Sequence, residues 1–168
     1  MHDKDDIFFQ RISDNQGIII KIAGSYCSSQ ADREDLAQEI FYTLWKGSGT
    51  YNPNYKFTTW MYRVALNVAI SFYRANKKFK NNIPLHGTIE EIAEHPLPDD
   101  KSHMLQQRVA ALNELDKALM LLYFDEKSYR DIAEVLGITE TNVATKISRI
   151  KEKLKKEITT KKDNYGRY

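Results

Sequence analysis

Ser128-Tyr129-Arg130-Asp131-Ile132-Ala133-Glu134-Val135-Leu136-Gly137-Ile138-Thr139-Glu140-Thr141-Asn142-Val143 decides how this chain folds. Ser128 with Asp131 makes a capping-box-like helix start: the serine satisfies an orphan amide and the acid complements the helix dipole. Ile132 and Leu136, four residues apart, predict that helix's buried stripe. Ala133 is small where a second helix must cross closely, and Gly137 supplies the positive φ of a tight turn. Thr139 is placed to cap the next helix, whose Val143, Ile147, Ile150 and Leu154 face inward. Helix, tight turn and helix with these residues is a helix-turn-helix, whose second helix is the one that enters a DNA major groove.

The outward face of that second helix carries Thr141, Asn142, Thr145, Lys146, Arg149 and Lys153. Short polar groups near its start can reach base edges, and the later cations can reach phosphates. The bland alternative is a helical hairpin with a solvated polar face. The cationic face, together with the alanine and glycine at their offsets, favours DNA.

Upstream, the pattern stays helical. Leu36, Ile40 and Leu44 predict an amphipathic helix over roughly Ala31 to Lys46, and Met61, Val64, Ala65, Val68 and Phe72 predict another from about Thr58 to Lys77. Gly47 to Asn54 between them is turn chemistry. Ile7 to Ile12 and Ile18 to Ala23 suggest two earlier helices with a kink near Asn15-Gly17, and strand alternation is absent. Three of the 4 prolines, Pro84, Pro96 and Pro98, fall between Asn81 and Asp100, which reads as a linker, or as a loop long enough to be functional, with room for a short amphipathic turn at Ile89–Ile92. The expectation is all-α: two small helical domains joined by a flexible linker, at 1–79, 80–102 and 103–160, with a frayed polar tail at 161–168.

The 168 residues carry 25 Lys+Arg against 23 Asp+Glu, a net charge of only +2. Counted in blocks, residues 1–39 are −4, 40–89 are +7 with no acid at all, 90–139 are −6 and 140–168 are +5. Two basic territories separated by acidic ones point to polyanion binding. The acid-free block also holds 11 of the 19 aromatic residues, among them Tyr51, Tyr55, Phe57, Trp60 and Tyr62. Such clusters are usually core, as expected for Phe41, Trp60 and Phe72. Cations interleaved with rings also describe a surface for unstacked bases. Arg63, Asn67, Ser71, Arg74 and Lys78 recur at helical spacing with no acid to pair them, so a merely solvated face is disfavoured. The preceding helix is acidic instead: Asp35, Gln38, Glu39 and Tyr42 share a face that would repel nucleic acid and suits a protein partner, with a merely solvated acidic helix as the bland alternative.

Other classes fall away. The lone Cys27 excludes an internal disulfide framework and a cysteine zinc site. The start, Met1 to Asp6, is too acidic for a signal peptide, and no apolar run approaches the roughly 20 residues of a membrane span, so a soluble cytoplasmic protein with no membrane insertion is expected. His2, His86, His95 and His103 have no ligand spacing, and neither a nucleophile–base pair nor a phosphate-cradling loop is present. An enzyme and a cofactor are not expected.

In order along the chain, Asp32-Arg33-Glu34-Asp35-Leu36-Ala37-Gln38-Glu39-Ile40-Phe41, then Lys56-Phe57-Thr58-Thr59-Trp60-Met61-Tyr62-Arg63-Val64-Ala65-Leu66-Asn67, then Leu115 through Lys155, resemble a bacterial RNA polymerase sigma factor of the extracytoplasmic-function group. The resemblance implies core RNA polymerase and promoter DNA as partners. Asp35, Gln38, Glu39 and Tyr42 would meet the coiled coil of the polymerase clamp. The loop Gly47 to Lys56 and the helix after it would capture flipped bases of the minus-ten element. Tyr55, Lys56, Phe57, Thr59, Tyr62, Arg63, Asn67 and Arg74 belong there, with Trp60 either a base contact or a core anchor. Thr141, Asn142, Thr145, Lys146, Arg149 and Lys153 would read the minus-thirty-five element, with Ser128, Tyr129 and Arg130 at the preceding helix start. The extra domains of primary sigma factors are not expected, and the resemblance is to the small, two-domain group. The group often answers to an anti-sigma factor, which no residue here identifies. The alternative is a helix-turn-helix regulator that is not a polymerase subunit; a receiver-type sensing half would need strands that residues 1–79 lack.

Overall fold

The computed structural model describes residues 2–82 and 107–165. The chain divides into two compact units, Met1–Ile92 and Ala93–Tyr168, and the described residues are helical with no strand, the all-α class expected. The dividing point, nearly all of the expected linker and the turn at Ile89–Ile92 lie outside the described residues. No helix among them is long and apolar enough to cross a membrane.

The first unit contains α1 (His2–Asp14), α2 (Gln16–Tyr26), α3 (Gln30–Lys46), a short 3-10 turn (Ser48–Thr50) and α4 (Phe57–Asn82). Asn15 makes the break between α1 and α2. Its side-chain amide donates to the Arg11 carbonyl at 2.8 Å and its own carbonyl accepts from the Ile18 amide at 3.0 Å, the local competition with helix hydrogen bonds that asparagine favours. Ser29 opens α3, its Oγ accepting from the Asp32 amide at 3.1 Å. Gly47 closes it, where a Cβ would come within 2.9 Å of the Thr43 carbonyl oxygen. Helices α2, α3 and α4 pack on one another around Ile22, Leu36, Ile40, Leu44, Met61 and Ala65, all essentially excluded from water.

The α4 stripe differs from the expected one. Met61 and Ala65 are buried, but their buried companions are Phe57, Tyr62, Leu66, Ala69 and Ile70, while Val64, Val68 and Phe72 are half-buried. The buried arc is thus rotated by roughly a quarter turn. A helix wedged against two neighbours, α2 and α3, buries a wider arc than a one-sided stripe. Helix α4 also runs five residues past Lys77, to Asn82, through a stretch that holds neither glycine nor proline.

The second unit contains a helical stretch at 107–110, then α5 (Glu114–Phe124), α6 (Tyr129–Leu136) and α7 (Glu140–Tyr165). Asn113 caps α5, its Oδ1 accepting from the amides of Leu115 at 3.2 Å and Asp116 at 2.9 Å. Within α6 the buried partner of Ile132 is Val135, with Leu136 left half-buried. Helix α7 buries Val143, Ile147, Ile150 and Leu154 as expected. It continues to Tyr165, into the stretch expected to fray, because lysine- and threonine-rich sequence holds no breaker before Gly166.

Candidate docking and nucleic-acid surfaces

On α3, Asp35, Gln38, Glu39 and Tyr42 are all exposed, on the side away from the fully buried Leu36, Ile40 and Leu44. The Tyr42 ring, 55% exposed, has the Lys46 ammonium 5.8 Å from its centre. The helix's one early cation is drawn to its start, where Arg33 Nε donates to the Cys27 carbonyl at 3.0 Å. Trp45, one turn on, is also half exposed and was not anticipated. An acidic helix face with exposed rings offers both charge steering and desolvatable anchors to a basic protein partner.

Beyond α3, Tyr55 and Lys56 stand exposed in the loop, and Arg63, Asn67, Ser71, Arg74 and Lys78 form one exposed row along α4. Thr59 and Trp60 are half-buried. Phe57 and Tyr62 correct the expectation that they present rings to bases: they are 7% and 4% exposed. Phe57 lies in an aromatic box, its ring centre 5.5 Å from Phe8, 5.4 Å from Tyr51 and 5.7 Å from Trp60. Tyr62 lies on the buried face with Leu66 and Ala69. Both therefore support the surface from beneath. Phe8 and Arg11 of α1 complete the box, a contribution hidden in the sequence because α1 lies outside the acid-free block. The loop is tied by its own side chains: Thr50 Oγ1 donates to the Gly47 carbonyl at 2.7 Å, and the Tyr51 hydroxyl donates to the Tyr55 carbonyl at 2.9 Å.

In the second unit the helix-turn-helix is closed at each point its sequence required. Ser128 Oγ accepts from the Asp131 amide at 3.1 Å and donates to Asp131 Oδ2 at 2.7 Å. Gly137 takes φ 68°, and Thr139 Oγ1 accepts from the Asn142 amide at 3.2 Å. Thr141, Asn142, Thr145, Lys146, Arg149 and Lys153 are exposed, opposite the buried stripe. The Thr145 hydroxyl donates back to the Thr141 carbonyl at 2.9 Å, which leaves it acceptor capacity. Ser128, Tyr129 and Arg130 are exposed too, but Tyr129 is not gathered with that face. It lines a shallow cavity of about 270 Å³ with Ala144, Ser148 and Lys151, on the other side of α7 from Asn142 and Lys146. Lys151 is turned to the same side and donates to the Tyr123 hydroxyl at 2.8 Å, which holds its pKa above the ordinary lysine value.

A chain of two units whose described residues are helical with no strand, one unit holding a capped helix-turn-helix with a cationic outer face, is a DNA-binding protein. The sigma-70 region 2 model matches residues 12–79 and the sigma-70 region 4 model matches residues 102–154. The extracytoplasmic-function sigma factor SigW of Bacillus subtilis is 31% identical over 141 residues, 76% of this chain and 75% of that protein. The B. subtilis sigma factor YlaC is 28% identical over 137 residues, 77% and 79% of the two chains. Two solved structures share the fold. CnrH, in complex with the cytosolic domain of CnrY, has a TM-score of 0.65 at 19% identity over 91% of this chain and 88% of that one. The sigma factor RpoE, in complex with the anti-sigma factor NepR from Bartonella quintana, has a TM-score of 0.69 at 16% identity over 89% and 95%. The chain belongs to the sigma-70 family of RNA polymerase sigma factors, in the extracytoplasmic-function group.

Proposed function

We propose that the chain docks on the clamp coiled coil of core RNA polymerase through the Asp35–Gln38–Glu39–Tyr42 face of α3. The loop at 47–56 and the exposed row of α4 capture and melt the minus-ten element. Helix α7 reads the minus-thirty-five element, in the cytoplasm where the polymerase works. In this reading residues 1–79 and 103–160 are the functional domains and 80–102 the linker. The observation that carries it is the separation of surfaces by charge: an acidic, ring-bearing face on α3 followed directly by an acid-free cationic row on α4. Extruding a base costs a few kcal/mol, which stacking and a shaped pocket offset.

A regulator acting without the polymerase accounts for α6 and α7 but gives the two surfaces of the first unit no task. Each solved neighbour is held by a partner, the cytosolic domain of CnrY or the anti-sigma factor NepR. On that likeness an anti-sigma protein belongs among the candidate partners of this chain. The reading is tested by transcribing a promoter library with core enzyme, with and without the protein. New start sites are expected only when it is added, and identical transcript profiles would sink the proposal.

A further inference from the structure

The loop given to base capture is gripped by a helix that has no part in the function proposed so far. Phe8 of α1 lies 6.2 Å from the Tyr51 ring, 5.5 Å from Phe57 and 5.6 Å from Trp60, centre to centre. One turn on, the exposed Arg11 holds its guanidinium carbon 4.4 Å from the centre of Phe57 and 5.4 Å from that of Tyr51. A cation over two ring faces is attracted by both quadrupoles. Tyr51 passes the constraint on: its hydroxyl donates to the backbone carbonyl of Tyr55, whose ring is 56% exposed beside Lys56.

We infer that Arg11 is a positioning residue for base capture: by capping Phe57 and Tyr51 it fixes the backbone at Tyr55, and so the presentation of Tyr55 and Lys56 to the unpaired strand. The inference rests on the function proposed for that loop. It gives α1, in the net-negative part of the chain, a role that a charge map does not. The rival role for an exposed arginine here is direct contact with a backbone phosphate, and salt dependence separates the two. A lost phosphate contact lowers the slope of log affinity against log salt by about 0.7 on single strands, whereas a lost ring contact leaves the slope alone.

The test uses holoenzyme assembled from core RNA polymerase and the full chain. The probe is a single-stranded nontemplate oligonucleotide spanning the minus-ten element of a promoter that this holoenzyme transcribes. Its affinity is measured across salt for the wild type, Arg11→Met, Arg11→Lys and Tyr55→Ala. Arg11→Met keeps the aliphatic cover but loses the cation, and should bind about fivefold more weakly with an unchanged salt slope. Its preference for the promoter's own base over a substituted one should fall in parallel. Arg11→Lys, which keeps a cation over the rings, should recover most of both. Wild-type affinity and base preference in Arg11→Met, or a reduced salt slope, overturns the inference. If Tyr55→Ala is impaired while Arg11→Met is not, Arg11 alone is misassigned; if neither is impaired, the loop itself is.

Discussion

Gly137 and Glu126 both hold left-handed backbone, at φ 68° and 56°, and each closes a helix of the second unit. After α5 the Glu126 amide donates to the Tyr123 carbonyl at 3.0 Å and the Lys127 amide to the Leu122 carbonyl at 3.1 Å, the paired closure of a Schellman motif. After α6 the Ile138 amide donates to the Ala133 carbonyl at 3.1 Å. A Cβ on Gly137 would meet nothing within 4 Å, so only the backbone penalises it. Gly137→Ala should destabilise the unit by about 1 kcal/mol, and Glu126→Gly should stabilise it by about 0.5 kcal/mol once the entropy of glycine is deducted. Thermal unfolding of the full chain should show the two midpoints moving in opposite directions. Gly137 was legible from residue type alone, whereas Glu126 was not, because a glutamate gives no sign that the chain must reverse there. The aromatics divide in the same way. Phe57→Ala should cost about 3 kcal/mol of stability by emptying the aromatic box. Arg63→Ala, fully on the surface, should leave stability within about 0.5 kcal/mol and slow promoter opening. A stable Phe57→Ala protein would contradict the burial, and normal opening by Arg63→Ala would contradict the α4 assignment.

At the scale of elements, polar faces were easier to read than apolar ones. The row Arg63, Asn67, Ser71, Arg74 and Lys78 is exposed throughout, because taking charged and polar side chains out of water is costly. The apolar side of α4 was misplaced by roughly a quarter turn. Valine, alanine and phenylalanine surround most of its circumference, and only the placing of α2 and α3 selects the buried arc. The end of α7 was missed for a related reason: beyond Leu154 the stretch to Tyr165 is almost wholly polar, so periodicity falls silent although lysine sustains the helix. Helix α3 was simpler, since its three buried residues at four-residue spacing fix the opposite face unambiguously. That makes it the element on which docking can be tested cleanly. Gln38→Ala with Glu39→Ala removes two exposed side chains, so stability should change by less than about 0.5 kcal/mol. Affinity for core polymerase, measured by fluorescence anisotropy of the labelled chain, should fall at least several-fold. Undiminished affinity would take α3 out of the interface.

For the molecule as a whole, the small net charge is the quantity with the longest reach. The total of +2 conceals blocks of −4, +7, −6 and +5 along the sequence. Nonspecific attraction to duplex DNA depends on how many phosphates a protein neutralises, and acidic blocks interleaved with basic ones reduce that attraction at distances near the Debye length, about 8 Å at physiological salt. The same interleaving costs little once the acidic face of α3 is occupied by a basic partner, because the cations of α4, packed beside it in the same unit, are then no longer opposed by it. Affinity for promoters should therefore be conditional on the polymerase. Alone, the full chain is expected to bind a promoter duplex at physiological salt no tighter than about 10⁻⁶ M, the range of nonspecific binding, with little preference over random sequence. With core enzyme the same duplex should be held in the range of specific complexes, about 10⁻⁸ M or tighter. Titrating labelled promoter and scrambled duplexes with the protein, the core enzyme and the two together at a fixed 0.15 M salt checks this. Tight, sequence-selective binding by the protein alone would show that the acidic blocks do not restrain the basic ones, and that the charge pattern serves some other end.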